Sequence, residues 1–308
     1  MTALRQAAEE YLSMRRALGY RLVTQGRLLA SFISYLERAG ADTVTIEAAV
    51  AWASQSSEVT AICWHRRLSV ARCFARYLSA FDPGCQIPPT DLLPAPQTRR
   101  HPYLYSDAEL DALVQAAGTL AVPMQAATCQ ALISLLAASG LRLGEALALS
   151  GHDVDLDDGV VTVVNGKNGA SRYVPLHPTT VAMLRTYLTR RDRYCPAPAS
   201  DRFFLSTTGT RVLAGSVEGL FTRVLTRAGI TAPPGQRRPR LHDLRHRFAV
   251  ATLVDWYRQG LDVQARLPLL STMMGHVAPI STFWYFTATP ELLELAARRM
   301  QDHLGVLP

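Results

Sequence analysis

Over residues 82–103 the chain reads DPGCQIPPTDLLPAPQTRRHPY, which gathers six of its 18 prolines into one short stretch. Proline lacks a backbone N–H and fixes φ, so neither an α-helix nor a ladder strand runs through such a segment. The chain is therefore expected to divide there: an amino-terminal unit over residues 1–82, a proline-rich linker over 83–102 and a larger unit over 103–308. The 308 residues suffice for two units of ordinary size, each with its own core. With 48% apolar and 19% charged residues, the composition excludes a disordered chain, a collagen-like repeat and a coiled-coil rod.

Apolar residues recur at three- and four-residue spacing over 4–18, 25–38, 46–54 and 61–81, which predicts a small four-helix unit before the prolines. Its last helix carries His65, Arg66, Arg67, Arg72 and Arg76. Those residues suit a face laid against phosphates and equally suit a solvated face. After the prolines, Ser106-Asp107-Ala108-Glu109 fits a capping box, and a further apolar helix is expected from about Gln125 to Ser139, before the Gly140 break. The period then changes. Val160-Val161-Thr162-Val163-Val164 and Arg172-Tyr173-Val174-Pro175 flank the turn Asn165-Gly166-Lys167-Asn168-Gly169, as in a β-hairpin. Helical patterns return at about 178–191, 214–228, 242–258, 263–274 and 290–303. The expected fold is mainly α with a small antiparallel β-sheet.

The amino-terminal stretch is charged and unlike a signal peptide, and the longest apolar run, residues 131–138, is too short to cross a bilayer. The protein is expected to act where it is made, in the cytoplasm at the nucleoid, without membrane contact. Its five cysteines are scattered without a C-x-x-C pair, which speaks against a disulfide framework and a cysteine zinc site. The 32 basic residues exceed the 25 acidic ones by seven, which suits a polyanionic partner. Thirty-one of those basic residues are arginine; the one lysine is Lys167, at the tip of the predicted hairpin.

Four further segments carry chemistry-bearing residues. Gly140-Leu141-Arg142-Leu143-Gly144-Glu145 sets an arginine at a glycine turn between two apolar helices, where it could also be a structural partner of Glu145. His242-Asp243-Leu244-Arg245-His246-Arg247 opens a helix after the basic loop holding Arg237, Arg238 and Arg240, with His242 and Arg245 on one face. Capping and solvating a helix start is the plain alternative. His242 and His246 stand four apart, but the glutamate of the H-E-x-x-H zinc pattern is absent, so no metal is expected. Gly275-His276 follows, and Tyr285 comes nine residues after that histidine within an aromatic cluster of the kind cores usually contain.

Taken in order, G-L-R-x-x-E, a G-K turn, H-x-x-R-H, G-H and a tyrosine nine residues on, this set resembles the tyrosine recombinase, or phage-type integrase, family. The resemblance covers roughly residues 103–300, and the helical unit before the prolines is similar to the family's DNA-clamping domain. The segments 11–20 and 283–286 look most like members carried by transposons and other mobile elements. The resemblance implies a site-specific DNA recombinase with Arg142, Lys167, His242, Arg245, His276 and Tyr285 as its active-site set, needing no cofactor and no metal. It implies double-stranded DNA with specific sites as partner, and a homo-tetramer, or an assembly with related recombinases, on that DNA.

Each residue type suits phosphoryl transfer. Planar guanidinium forks neutralise two nonbridging oxygens. A histidine adds a hydrogen bond or takes a proton, and a phenol forms a covalent 3′-phosphotyrosine that stores the bond for resealing. Arginine, with a pKa above roughly 12, is a poor proton donor to the departing 5′-oxygen, whereas a lysine near about 10.4 is tunable. Three positions depart from the family pattern: Ala170 replaces a second basic residue after Lys167, Arg247 replaces a small hydroxyl residue, and Phe286-Thr287-Ala288 follows the tyrosine. Leu293, Ala297, Met300 and Leu304 form an apolar stripe that could dock on a neighbouring chain or fold back on its own unit. Two other functions are compatible with much of this pattern. A type IB topoisomerase would act as a monomer without paired sites, and an accessory DNA-binding factor would keep the fold without catalysis.

Overall fold

The computed structural model describes residues 2–55, 60–93, 102–164, 171–276, 280–287 and 289–304. The chain forms two compact units, Met1–Arg100 and His101–Pro308. It is mainly helical with one small antiparallel sheet, and among the described residues no helix is long and apolar enough to cross a membrane.

The first unit consists of α1 (Ala3–Ala17), α2 (Val23–Arg38), α3 (Ile46–Ser54) and α4 (Ala61–Leu78). Thr2 and Thr45 cap α1 and α3 by accepting the backbone N–H groups of Arg5 and Ala48, which those helices would otherwise leave unpaired. Leu29, Phe32, Leu36, Trp52, Leu68 and Phe74 meet in its core. The proline segment does not simply leave this unit. Gln86 N–H donates to Val44 O (2.7 Å), the Gln86 side chain accepts from Ile46 N–H (3.0 Å), and Cys85 and Leu93 pack on the core. Arg72 closes the contact, its Nε and Nη2 donating to the Pro88 and Pro89 carbonyls at 2.7 and 2.6 Å. Residues 94–101 of the expected linker lie outside the described residues.

The second unit holds α5 (Asp107–Gly118), α6 (Pro123–Ser139), α7 (Leu143–Ala148), α8 (Pro178–Tyr194), α9 (Ala214–Arg227), α10 (Leu241–Arg258), α11 (Val263–Met274), α12 (Ile280–Phe283) and α13 (Pro290–Leu304). Ser106 opens α5 with the expected capping box to Glu109. Helix α6 is apolar on nearly every side, and α5, α8 and α10 pack around it, as such a sequence requires. The sheet joins β1 (Val154–Asp155), β2 (Val160–Val163) and β3 (Arg172–Pro175). Strand β1 and helix α12 are additions to the sequence-based expectation. They are two and four residues long, too short for periodicity to mark. β2 and β3 are antiparallel, with Val163 opposite Arg172 and Val161 opposite Val174, as expected of the hairpin. Its tip, including Lys167, lies outside the described residues.

Two glycines of the motifs are required by backbone and space together. Gly140 ends α6 at φ 62°, and a Cβ there would lie 2.4 Å from the Phe248 ring. Gly275 ends α11 at φ 64°, where a Cβ would lie 2.8 Å from the Arg172 guanidinium and 3.2 Å from Arg142 Nη1. Gly275→Ala is expected to cost about 2 kcal/mol through left-handed strain. That predicts a fall of about 4–8 °C in the Tm of this unit. Calorimetry checks it, and an unchanged Tm refutes the strain.

Candidate active site

The carboxyl ends of α6 and α11 meet the first turns of α10, and the carbonyls that close α6 and α11 anchor two arginines there. Arg245, in the first turns of α10, is buried and donates from Nη1 to Gly140 O (2.5 Å) and from Nη2 to Met274 O (2.6 Å). Helix C-termini leave such carbonyls unpaired, so a guanidinium fork both satisfies them and is oriented by them. Burial first, and then repulsion from Arg142, lowers the Arg245 pKa to about 10, partly offset by Tyr285 and Glu145. It stays cationic at neutral pH.

Arg142 stands at the start of α7, half-buried, with Nη2 donating to Gly275 O (2.9 Å) and Nη1 to Glu145 Oε1 (2.7 Å). The Arg142 N–H donates to Glu145 Oε2 at 3.0 Å, so this carboxylate caps the helix and steadies the guanidinium together.

Glu145 is shared. Arg172, the first residue of β3, donates to its Oε2 at 2.8 Å and to Met273 O at 2.8 Å. Burial alone would raise the Glu145 carboxyl, but the Arg172 hydrogen bond, the Arg142 N–H and the two positive charges hold it below its ordinary value. Arg172 was not singled out in the sequence, although a signal was there: it lies in phase with buried Val174, so its charge points inward. A buried inward arginine needs a carboxylate, and Glu145 is it.

Arg172→Met is expected to destabilise the unit by about 3 kcal/mol, since it leaves a buried carboxylate with one partner fewer. The sign with pH follows from the lowered Glu145 pKa. Its contribution is complete above the unfolded carboxylate value of about 4.3 and is lost as pH falls through the lower folded value. The variant should therefore lose less stability than the parent on acidification below that point. Urea unfolding at several pH values checks this, and parallel pH profiles for the two proteins contradict it.

His242, the second residue of α10, keeps part of its ring at the surface. Burial of the remainder, then the charges of Arg245 and Arg240, lowers its pKa, so it is neutral near pH 7. His276 follows Gly275; its Nδ1 lies 2.7 Å from Thr282 Oγ1, and its ring stacks near-parallel to that of Tyr285 at 6.1 Å. The His246 ring completes the surround, 4.9 Å from His242 and 5.6 Å from Tyr285.

Arg142, His242, Arg245, His276 and Tyr285 are thus brought together from four separate segments, His242 and Arg245 sharing the first turns of α10. Tyr285 lies on a short 3₁₀ turn, Trp284–Thr287, and is only 3% exposed, packed with Leu253, Leu270 and Met274. Sequence position shows where a phenol stands along the chain but not that its ring is inserted into the core.

A cavity of about 540 Å³ opens beside this cluster, lined by Arg142, His242, Arg238, Arg240, Thr222 and Glu218 among others. Arg237 and Arg238 are exposed; Arg240 is ion-paired with Asp243 at 3.0 Å and half-exposed. Arg247 pairs with Asp107. In the first unit, Arg66 and Arg76 are exposed, while His65 and Arg67 are half-buried, Arg67 with its guanidinium 5.8 Å from the Trp52 ring. Arg72, expected on a face laid against phosphate or solvent, is instead 6% exposed and committed to the two proline carbonyls. It sits at the edge of the apolar stripe of α4, where the returning proline segment covers it. Among the described residues no cluster of His, Cys, Asp or Glu is placed to hold a metal ion.

Residues 104–291 match the phage integrase family. The chain belongs to that family, the tyrosine recombinases. It is 42% identical to the putative integrase/recombinase y4rB of Sinorhizobium fredii across 98% of both chains. A second protein of that organism, the putative integrase/recombinase y4rE, is 35% identical over 96% of this chain and 95% of the relative. Among solved structures, the fold is similar to that of the Tn1549 transposon integrase in complex with transposon right end DNA (TM-score 0.71, 17% identity, 99% and 100% covered). It is also similar to that of lambda integrase in a tetramer bound to a Holliday junction (TM-score 0.60, 18% identity, 90% and 78% covered). Membership in this family makes the protein a tyrosine-type site-specific DNA recombinase.

Proposed function

We propose that Arg142, Lys167, His242, Arg245, His276 and Tyr285 carry out strand exchange at one phosphodiester, in the service of a mobile element that is inserted or excised. The observation that supports this reading most is the convergence of Arg142, Arg245, His276 and Tyr285 around the carbonyls of Gly140, Met274 and Gly275. Two guanidinium forks, one buried and one facing the cavity, neutralise the nonbridging oxygens where a metal would otherwise be needed. His276 donates a further hydrogen bond to the phosphate, and neutral His242 accepts the phenol proton.

The Tyr285 oxygen then bonds to phosphorus while the bond to the 5′-oxygen breaks, and Lys167 hands its proton to that oxygen. A 3′-phosphotyrosine results. Attack by a 5′-hydroxyl of the exchanged strand reverses each step, releases the phenol and reseals DNA without ATP. Because Tyr285 is almost fully covered, the turn at Trp284–Thr287 shifts when DNA is engaged.

The unit before the prolines grips duplex DNA through Arg66, Arg67, Arg76 and His65, and Arg237, Arg238 and Arg240 do so beside the cavity. Exchange between two duplexes takes four chains, as a homo-tetramer or with related recombinases. The exposed side chains of Leu293 and Met300 on α13 supply an apolar stripe for contact between neighbours. The deciding experiment offers the protein a nicked duplex bearing the element's end sequence and isolates the adduct that survives denaturation. The expected result is a DNA-linked peptide carrying Tyr285. No adduct, or one on another residue, overturns the reading.

A further inference from the structure

His276 is held on its Nδ1 side by two hydroxyls in series. Thr282 Oγ1 lies 2.7 Å from His276 Nδ1 and 2.7 Å from Ser271 Oγ, and both hydroxyl residues are buried. A serine or threonine inside a helix commonly returns its hydroxyl to the carbonyl four residues back. Thr272 does this on α11, to Pro268 O at 2.9 Å. Its neighbour Ser271 instead reaches across to Thr282, which is 1% exposed. A hydroxyl pair set into an apolar cluster and ending on an imidazole is a positioned group rather than filler, since a valine would fill the same space without desolvating an oxygen.

Such a relay runs in one of two directions. With the proton on Nδ1, the ring donates to Thr282, and Nε2 carries a lone pair that a phosphate oxygen repels. With the proton on Nε2, Ser271 donates to Thr282, Thr282 donates to Nδ1, and the ring presents an N–H on its other side. Only the second arrangement serves a histidine that donates to a nonbridging oxygen. We infer that Thr282, supported by Ser271, is a positioning residue that holds neutral His276 in the tautomer with its proton on Nε2. This rests on the proposed role of His276 as a phosphate donor. Thr282 itself touches no reacting atom; it acts through the ring.

The test reads the tautomer directly. In protein labelled with ¹⁵N-histidine, long-range ¹H–¹⁵N spectra at pH 8 distinguish a protonated ring nitrogen from a bare one. Loss of signals in His276→Gln identifies the residue. The parent is expected to show Nε2 protonated, Thr282→Val a mixture of tautomers, and Thr282→Ser the parent pattern again. Cleavage at saturating DNA should fall about tenfold in Thr282→Val with unchanged DNA affinity, and recover in Thr282→Ser.

A parent ring protonated on Nδ1, or a Thr282→Val ring with the parent pattern, overturns the inference. Should Thr282→Val fail to fold, Ser271→Ala carries the same readout, with a partial shift expected and an unchanged ring refuting it. A tautomer that depends on Thr282 in a protein that forms no DNA adduct supports the positioning assignment while refuting the proposed chemistry. Failure of the two is therefore told apart.

Discussion

Tyr285→Phe protein is expected to bind its duplex with unchanged affinity, to retain its thermal stability within a small margin, and to form no covalent adduct with DNA. The substitution removes one oxygen. The ring remains packed with Leu253, Leu270 and Met274 and stacked against His276, so core and phosphate-binding groups stay in place. Removing a covalent nucleophile costs on the order of 10⁴–10⁶-fold in rate, which takes cleavage below detection.

Competing phenols exist at Tyr173, which is exposed on β3, and at Tyr257, far along α10. Neither stacks on His276 as Tyr285 does at 6.1 Å. The measurement is a denaturing gel with a nicked substrate, and an adduct that persists in Tyr285→Phe moves the nucleophile elsewhere.

Lys167→Ala and Lys167→Arg are both expected to slow cleavage, by about 10²–10⁴-fold, the range of a general acid. The arginine variant is the informative one, because it preserves charge and reach to phosphate while withholding a transferable proton. Replacing the bridging 5′-oxygen by sulfur supplies a leaving group that needs no proton, and should restore both variants to near the parent rate on the same substrate. If sulfur rescues neither, the lysine contributes only a charge to DNA binding and the proton comes from another group. The prediction follows from the chain's basic composition: 31 arginines and one lysine, which in sequence falls between the two paired strands.

Much of the fold follows from local physics and is therefore visible in the chain itself. The four helices before the prolines and the capping box at Ser106 follow from periodicity and capping that act over a few residues. The β2–β3 hairpin is legible for the same reason. Strand β1 and helix α12 escape because they are too short to show a period and exist through their neighbours. The proposed active-site residues could be named because their motifs are short and ordered, but what each touches could not.

Arg72 illustrates the difference. It shares helix α4 with exposed Arg66 and Arg76, and only the return of Pro88 and Pro89 over that edge turns it from a surface charge into a brace for two carbonyls. Arg172 illustrates the converse: a residue in an ordinary strand becomes the partner of Glu145 and, through it, of Arg142, across 27 residues of chain.

By itself the chain determined its longer helices and its paired strands, and it named the groups proposed to move a phosphoryl bond, because these depend on residue type and near spacing. Tertiary structure alone decided that Glu145 is shared by two arginines and that the carbonyls of Gly140, Met274 and Gly275 aim two guanidiniums. It also decided that Thr282 meets His276 and that Tyr285 is covered. Hydrogen-bond direction and burial arise where distant segments meet, and no local pattern encodes the meeting.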